Sequence, residues 1–596
     1  MYASLPFRLL VRALVGVAVA LPLPAAGEGG ITDIEVLAEQ LVSRDLGAAR
    51  KTLAHDVALM AGKLSAGELL AEGSDHRTRL LLHTVLGRLP VETISEPEWL
   101  AEHGEFLDWL LLSPDRLGLL LSELRPEDQP ARVLEVWSGI WQREEKPEFR
   151  DKYASLALAL ALIYDVPGNA PAKADTDYHP SLDCFERYEF FKQASEDQKL
   201  AVPSDRLVPR DLIHVVDLVV SREEIDWSLS KLHENRRSWG RTYSEIEYLM
   251  ERAVDGVDPY ESYILSEILK EGGICGDQAY FASESGKAQG IPTASIVGVG
   301  SRGAHAWVAF MPDDHEWETH GSQGITNGDL YDAQRGRQIT HDLLRLEADK
   351  DYRPEQRVPA LLITEAATVA ARAGHRDKAA ELFATARKLS PLSLEPWEAQ
   401  FEFMLGADDP AALAGFLDGV ERDFGDYPSV VEVASGHRRE HLLAHLSEED
   451  LMKELEREIR RNIRKYEDQG EVVANSVSSL AEVLVKKDSP EGLRRLFKTA
   501  FRKCGEDLEL FEKLMDNYLR SSRKFADLKA VVPSDLERFY DRYAETGSAE
   551  YFRGMMEIKL HRTVARAYRD AGEIRKADSL DKKIERREED LAKDAL

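Results

Sequence analysis

Apolar residues return every three or four positions through the first part of the chain. In 76-HRTRLLLHTVLGRL-89 and 105-EFLDWLLLSPDRLGLLLSEL-124 this spacing predicts helices. The segment 152-KYASLALALALIYDVP-167 is apolar around nearly its whole circumference, which predicts a buried helix ending ahead of Pro167 and Gly168. Residues 166–205 carry proline and aspartate clusters and read as a linker or long loop. After them, 212-LIHVVDLVV-220 is short and β-branched, so a strand is expected. Ser221 and Glu224 form an S-x-x-E capping box that opens a helix over 222–237, and further helices are expected over 245–254 and 260–270. From about residue 356 onward the helical pattern resumes.

Within that last region, 364-TEAATVAARAGHRDKAAELFATARKLSP-391 fits a helix–turn–helix repeat. Ala367 and Gly374 are followed by Ala379, Phe383, Ala386 and Pro391, the small and large positions of a tetratricopeptide repeat. A weaker echo at 565–584 has Tyr568, Gly572 and Ala577 in register. An irregular α-helical, TPR-like array follows, with a protein partner on its repeats as a fold-level expectation.

At the N-terminus, Arg8 and Arg12 precede the nine-residue apolar run 13-ALVGVAVAL-21, and Ala25, Ala26 and Gly27 supply small residues for cleavage. Residues 1–27 are therefore expected to be a secretory signal, leaving a periplasmic or secreted protein without a transmembrane span; an uncleaved N-terminal anchor is the alternative. The expected organisation is a signal peptide (1–27), an N-terminal α-helical domain with linker (28–205), a central domain (206–350) and a C-terminal α-helical domain (351–596). With 107 acidic against 77 basic residues the net charge is −30, which argues against nucleic acid as a partner.

Three cysteines occur, Cys184, Cys275 and Cys504. A Cys184–Cys504 bridge is conceivable; either way at least one thiol is left free. Cys275 has the most suggestive setting. Gly272 and Gly273 allow a sharp turn, and the run from Cys275 to Gly290 predicts a helix with the cysteine in its first turn. There the unpaired N–H groups and the helix dipole favour a thiolate, the form a nucleophile needs. Two strands follow, 291-IPTASIVGV-299 and 304-AHAWVAF-310, and alternation puts His305, Trp307 and Ala309 on one face. A helix packed on that sheet would bring Cys275 and His305 together.

The order of Cys275, Gly290–Ile291–Pro292 and His305–Ala306–Trp307 resembles the core of the transglutaminase-like superfamily. The resemblance implies a papain-like core over roughly 210–345, with Cys275 as nucleophile, His305 as base and an acid that orients the imidazole. It also implies no cofactor and no metal. The family's aspartate stands about four residues past a tryptophan, but Trp317 is followed by Glu318, Thr319, His320 and Gly321. Glu318, Asp329 and Asp332 stay open as orienting groups. The expected fold is thus α+β multidomain and mainly α, a papain/transglutaminase-like core between helical arrays. The expected activity is on amide bonds of peptides or proteins through a thioester, with hydrolysis favoured over cross-linking. The competing expectation is a non-catalytic exported scaffold with a degenerate core.

Other motifs fail their own geometry. The string 298-GVGSRG-303 matches G-x-G-x-x-G but precedes a strand, so no dinucleotide site is expected. In 315-HEWETH-320 the histidines are five apart rather than four, outside the zinc-protease spacing. His437, His441 and His445 share a helical face and are read as a solvated or interfacial surface.

Overall fold

The computed structural model describes residues 30–166, 183–300, 303–319, 328–407, 409–443, 446–466, 470–502, 508–544 and 550–594. The expected signal segment lies outside these residues. Among the described residues the protein is mainly helical, with one small antiparallel sheet of five strands. No helix among the described residues is long and apolar enough to cross a membrane.

The chain forms two compact units. The first gathers the chain up to Asp409 apart from the short segments 299–303 and 324–327, and the rest of the second runs from Pro410 to the end. The expected edges at 205 and 350 both lie inside the first unit.

Among the described residues up to 231 the regular elements are helices, and their starts are written in local chemistry. Ser74 accepts the Arg77 N–H to open Asp75–Arg88, and Ser113 accepts that of Arg116 to open Pro114–Glu123. The leucine-rich stretch 105–124 is therefore two helices, broken where Ser113 and Pro114 start the second. Ala154–Ile163 is buried along its entire length, as its apolar circumference demands. The Ser221–Glu224 capping box is formed as expected, opening Arg222–Lys231.

Three expectations are corrected. Residues 183–196 are not linker. Asp183 caps the helix Cys184–Glu196 in a reciprocal box with Glu186, a D-x-x-E signal hidden among the loop-like residues before it. The segment 212–220 is not a strand. Pro209 at the first turn and the extended Val208 ahead of it start the helix Pro209–Val216, whose Leu212, Ile213, Val215 and Val216 are buried. Burial on all sides suits β-branched residues in a helix as well as in a strand, so tertiary packing overrides propensity here. Finally, the helices expected over 222–237, 245–254 and 260–270 are shorter than their predicted spans, and residues 232–249 are not α-helical. A run of 3₁₀ turns, Arg236–Glu245, leads into extended residues, and regular helix returns only at Met250–Asp255 and Leu265–Glu271.

The sheet has the order β3-β2-β1-β4-β5, with β1 Thr293–Gly300, β2 Gly303–Asp313, β3 Glu316–Glu318, β4 Gly328–Asp332 and β5 Arg337–Thr340. The G-x-G-x-x-G string spans the β1–β2 connection, as expected, with Ser301 and Arg302 outside the described residues. Arg125 fastens the N-terminal helices to the sheet: its Nε donates to Gln334 at 2.9 Å and its Nη2 pairs with Glu347 at 2.8 Å.

The predicted helix–turn–helix over 364–391 forms as Pro354–Arg372 and Arg376–Leu389, joined at Gly374 with φ +86°, and Ala367, Ala379, Phe383 and Ala386 are buried. In the second unit, Glu550–Asp570 and Ile574–Asp594 repeat the arrangement around Gly572, φ +80°.

Candidate functional site

The helix Cys275–Ala288 is sheathed in protein. Asp277 to Ala279 and Phe281 to Ala288 are buried, whereas Ile274, Cys275 and Gly276 at its start are half-exposed. A Cβ built on Gly276 meets nothing within 4 Å, so the first turn faces open space. The N–H groups of a first turn have no partner within their own helix, and here they stand beside the partly exposed Cys275.

Why the chain makes this start is visible in its glycines. Gly272 has φ +83°, and a Cβ there would sit 2.6 Å from the Glu247 carbonyl oxygen. At Gly273 a Cβ would come within 2.5 Å of both the Asp277 Cβ and the Tyr260 hydroxyl. That close approach lets Gly273 pair in parallel with Tyr248, donating to the Glu247 carbonyl at 2.8 Å and accepting from the Leu249 N–H at 2.9 Å. Asp277 then holds the turn. Its carboxylate accepts from Arg252 Nε (2.7 Å) and Nη2 (3.2 Å), from the Tyr263 hydroxyl (2.9 Å) and from the Ile274 N–H (2.8 Å).

His305 lies near the start of β2. Its ring stacks on Trp307 at 6.5 Å between centroids, so the two share a face as alternation requires. Trp307 is the anchor of that face: its indole N–H donates to the Thr319 carbonyl at 2.7 Å, and its ring stands 6.1 Å from His341.

The 3₁₀ run Arg236–Glu245 joins helix and strand. Along β2, Arg236 Nε donates to the Met311 carbonyl (2.7 Å), Gly240 lies against the Phe310 ring, and the Tyr243 hydroxyl donates to the Ala306 carbonyl (2.9 Å). Along the helix, Trp239 Nε1 donates to the Ala282 carbonyl (2.8 Å), and Gln278 Nε2 to that of Ile246 (2.9 Å). As the run advances, its partners on both elements step backwards, so the start of the helix and the start of β2 lie at the same end. Tyr243 stands between them, its ring 6.3 Å from that of His305. Burial raises the Tyr243 hydroxyl above its ordinary pKa, and negative charge on Cys275 adds to the rise; Tyr248 is raised by the same two causes. Tyr243 and His305 are thus neighbours at the end of the core where the Cys275 helix starts.

No hydrogen bond joins the Cys275 thiol to His305 among the described residues. Burial alone lowers the His305 pKa, which favours the neutral imidazole, the form that accepts a proton. Cys184 contrasts with Cys275: it is a free, buried thiol pushed up to about 12, chiefly by burial. Cys504 lies outside the described residues.

None of the three candidate orienting acids meets the imidazole. Glu318 is paired with Phe310, five residues along β2 from His305 and about 16 Å away at strand spacing. Gly328 packs beneath the Trp307 ring, so alternation turns Asp329 to the other face of the sheet. Asp332 is buried and paired with Arg335. Gly321, at the family's expected position, lies outside the described residues.

Tyr243 carries no motif that sequence reasoning can read. Nor does Asp277, whose clamp on the turn comes from partners distant in sequence, Arg252 and Tyr263. The remaining motifs resolve plainly. His315 sits in the β2–β3 turn with φ +61° and bonds Asp211 at 3.1 Å. His437 and His441 stack at 6.0 Å, and burial first, then His441, lowers His437 to about 4; His445 lies outside the described residues. Comparison with family models, with curated proteins and with solved structures finds no match to this chain.

Proposed function

We propose that the protein is an exported, transglutaminase-like cysteine enzyme acting on amide bonds of peptides or proteins, with Cys275 as nucleophile and His305 as base. The observation that carries this reading is the partly exposed Cys275 at the start of a buried helix, at the same end of the core as His305, whose pKa burial lowers and whose ring lies 6.3 Å from that of Tyr243. The thiol proton passes to the imidazole and the sulfur attacks the amide carbon. First-turn N–H groups near Cys275 receive the developing oxyanion. As the tetrahedral intermediate collapses, the C–N bond breaks and the amine leaves with the proton from His305. Water, deprotonated by His305, then cleaves the thioester, releasing a carboxylic acid and the free thiol. An amine in place of water gives a cross-link; hydrolysis is favoured because water is always present.

The second reading is a non-catalytic scaffold whose TPR-like helices hold a protein partner. The imidazole without a carboxylate among the described residues favours it, since the third group normally fixes the tautomer. A small thiol alkylator at neutral pH separates the two. The enzyme predicts prompt labelling of Cys275, slowed about tenfold or more in His305→Ala. Slow labelling that is equal in both proteins supports the scaffold.

A further inference from the structure

Beside the thiol lies surface that the core does not need. Tyr248, Met250 and Val257 are 47%, 64% and 52% exposed, large apolar side chains left in water. All three are tied to the helix start. Tyr248 bridges Gly273, two residues ahead of Cys275; Met250 follows Leu249, whose N–H bonds the Gly273 carbonyl. Val257 lies where its carbonyl is 3.5 Å from Nη1 of Arg252, the same side chain that clamps Asp277. The Tyr248 hydroxyl also feels charge on Cys275.

The backbone here offers a second feature. In the parallel bridge, Glu247 and Leu249 supply the bonds to Gly273, so the N–H and C=O of Tyr248 point the other way. Among the described residues neither has a partner. An unpaired edge of extended chain is a template for one more strand. The surround is acidic: Glu245, Glu247, Glu251 and Glu261 are exposed, while of the two cations in 241–261 Arg241 is exposed and Arg252 is already paired with Asp277.

We propose that Glu247–Met250, with Val257, is the acyl-side subsite of the Cys275 centre, taking an extended peptide strand with a large apolar side chain and cationic neighbours. This rests on the thiol–imidazole reading. The strand pairs with Tyr248, its apolar side chain covers Met250 and Val257, and the surrounding carboxylates favour lysine or arginine nearby.

The test uses peptide vinyl sulfones, which alkylate an active-site thiol without turnover. Probes with phenylalanine or leucine beside the electrophile, and with a neighbouring lysine, are compared with glycine and glutamate probes; iodoacetamide reports the thiol alone. The expected kinact/KI is about tenfold or more higher for the apolar probes, and the preference shrinks in Met250→Ser and Val257→Ser, both exposed positions that leave the fold intact. Equal rates for all peptide probes, with iodoacetamide still fast and His305-dependent, would overturn the subsite and spare the thiol–imidazole pair. Slow, His305-independent iodoacetamide labelling would overturn both. A preference that survives both substitutions would place the recognition elsewhere and overturn the assignment to these residues.

Discussion

His305 is held at a low pKa by burial and by no neighbouring charge. Among the described residues no carboxylate meets the imidazole to favour its protonated form, so burial sets the direction of its shift. The sign of the pH dependence follows. Lowering pH protonates the base and removes activity, but a depressed pKa postpones that loss. The acid limb of Cys275 alkylation or of amide turnover is therefore expected below the ordinary histidine value of about 6.5. A pH–rate profile checks this; an acid limb at or above that value would mean that an acid outside the described residues supports His305 in solution. The sequence disclosed Cys275, His305 and the two glycines because each is a residue type whose chemistry or backbone freedom restricts where it fits. Tyr243 was silent because its role comes from a ring and a hydroxyl set between two elements, and only their packing reveals that.

Among the elements, the helix Cys275–Ala288 and strands β1 and β2 were legible, since glycine punctuation and alternation agree there. The segment 209–216 was not, because a fully buried element loses the periodicity that separates helix from strand. The expected helices over 222–237 and 245–254 overran into 232–249 for another reason: the 3₁₀ turns and extended residues there are fixed by hydrogen bonds to Met311, Ala306, Ala282 and Gly273, all distant in sequence. The far end of the cysteine helix is secured by an ion cluster equally hidden in sequence. Lys287 Nζ lies 2.9 Å from Asp217 and 3.0 Å from Glu284, and all three side chains are at most 8% exposed. Glu284 in turn accepts the Val219 N–H at 2.7 Å. Removing the cation leaves two buried carboxylates facing one another. Lys287→Met is expected to destabilise the unit by about 3–5 kcal/mol, seen as a lower midpoint in urea unfolding. A change within about 0.5 kcal/mol would show that the cluster is solvated, contrary to its burial.

For the molecule as a whole, the division at Asp409–Pro410 bears on which parts the chemistry requires. The first unit has a core that runs from Leu37 to Ala386 without interruption by the second unit's residues, so the N-terminal helices, the sheet and the first helix–turn–helix pair share one interior. The second has its own core, from Leu443 to Leu580. Each buries large side chains independently: Trp137, Trp239 and Phe281 in the first, Phe497, Phe511 and Tyr518 in the second. Such a core is the physical condition for folding alone. Cys275, His305, Tyr243 and the Asp277 clamp all belong to the first unit. A chain ended at residue 409 is therefore expected to fold cooperatively and to keep the His305-dependent alkylation rate of Cys275 within about twofold of the full chain. One ended at residue 350 removes Pro354–Arg372, whose Leu361 to Ile363 are fully or almost fully buried in the shared core, and is expected to lose both folding and reactivity. Circular dichroism melts with parallel thiol kinetics read both outcomes. If the 350-residue chain melts cooperatively and reacts normally, the central domain stands alone at the edges expected from sequence and the shared-core account fails.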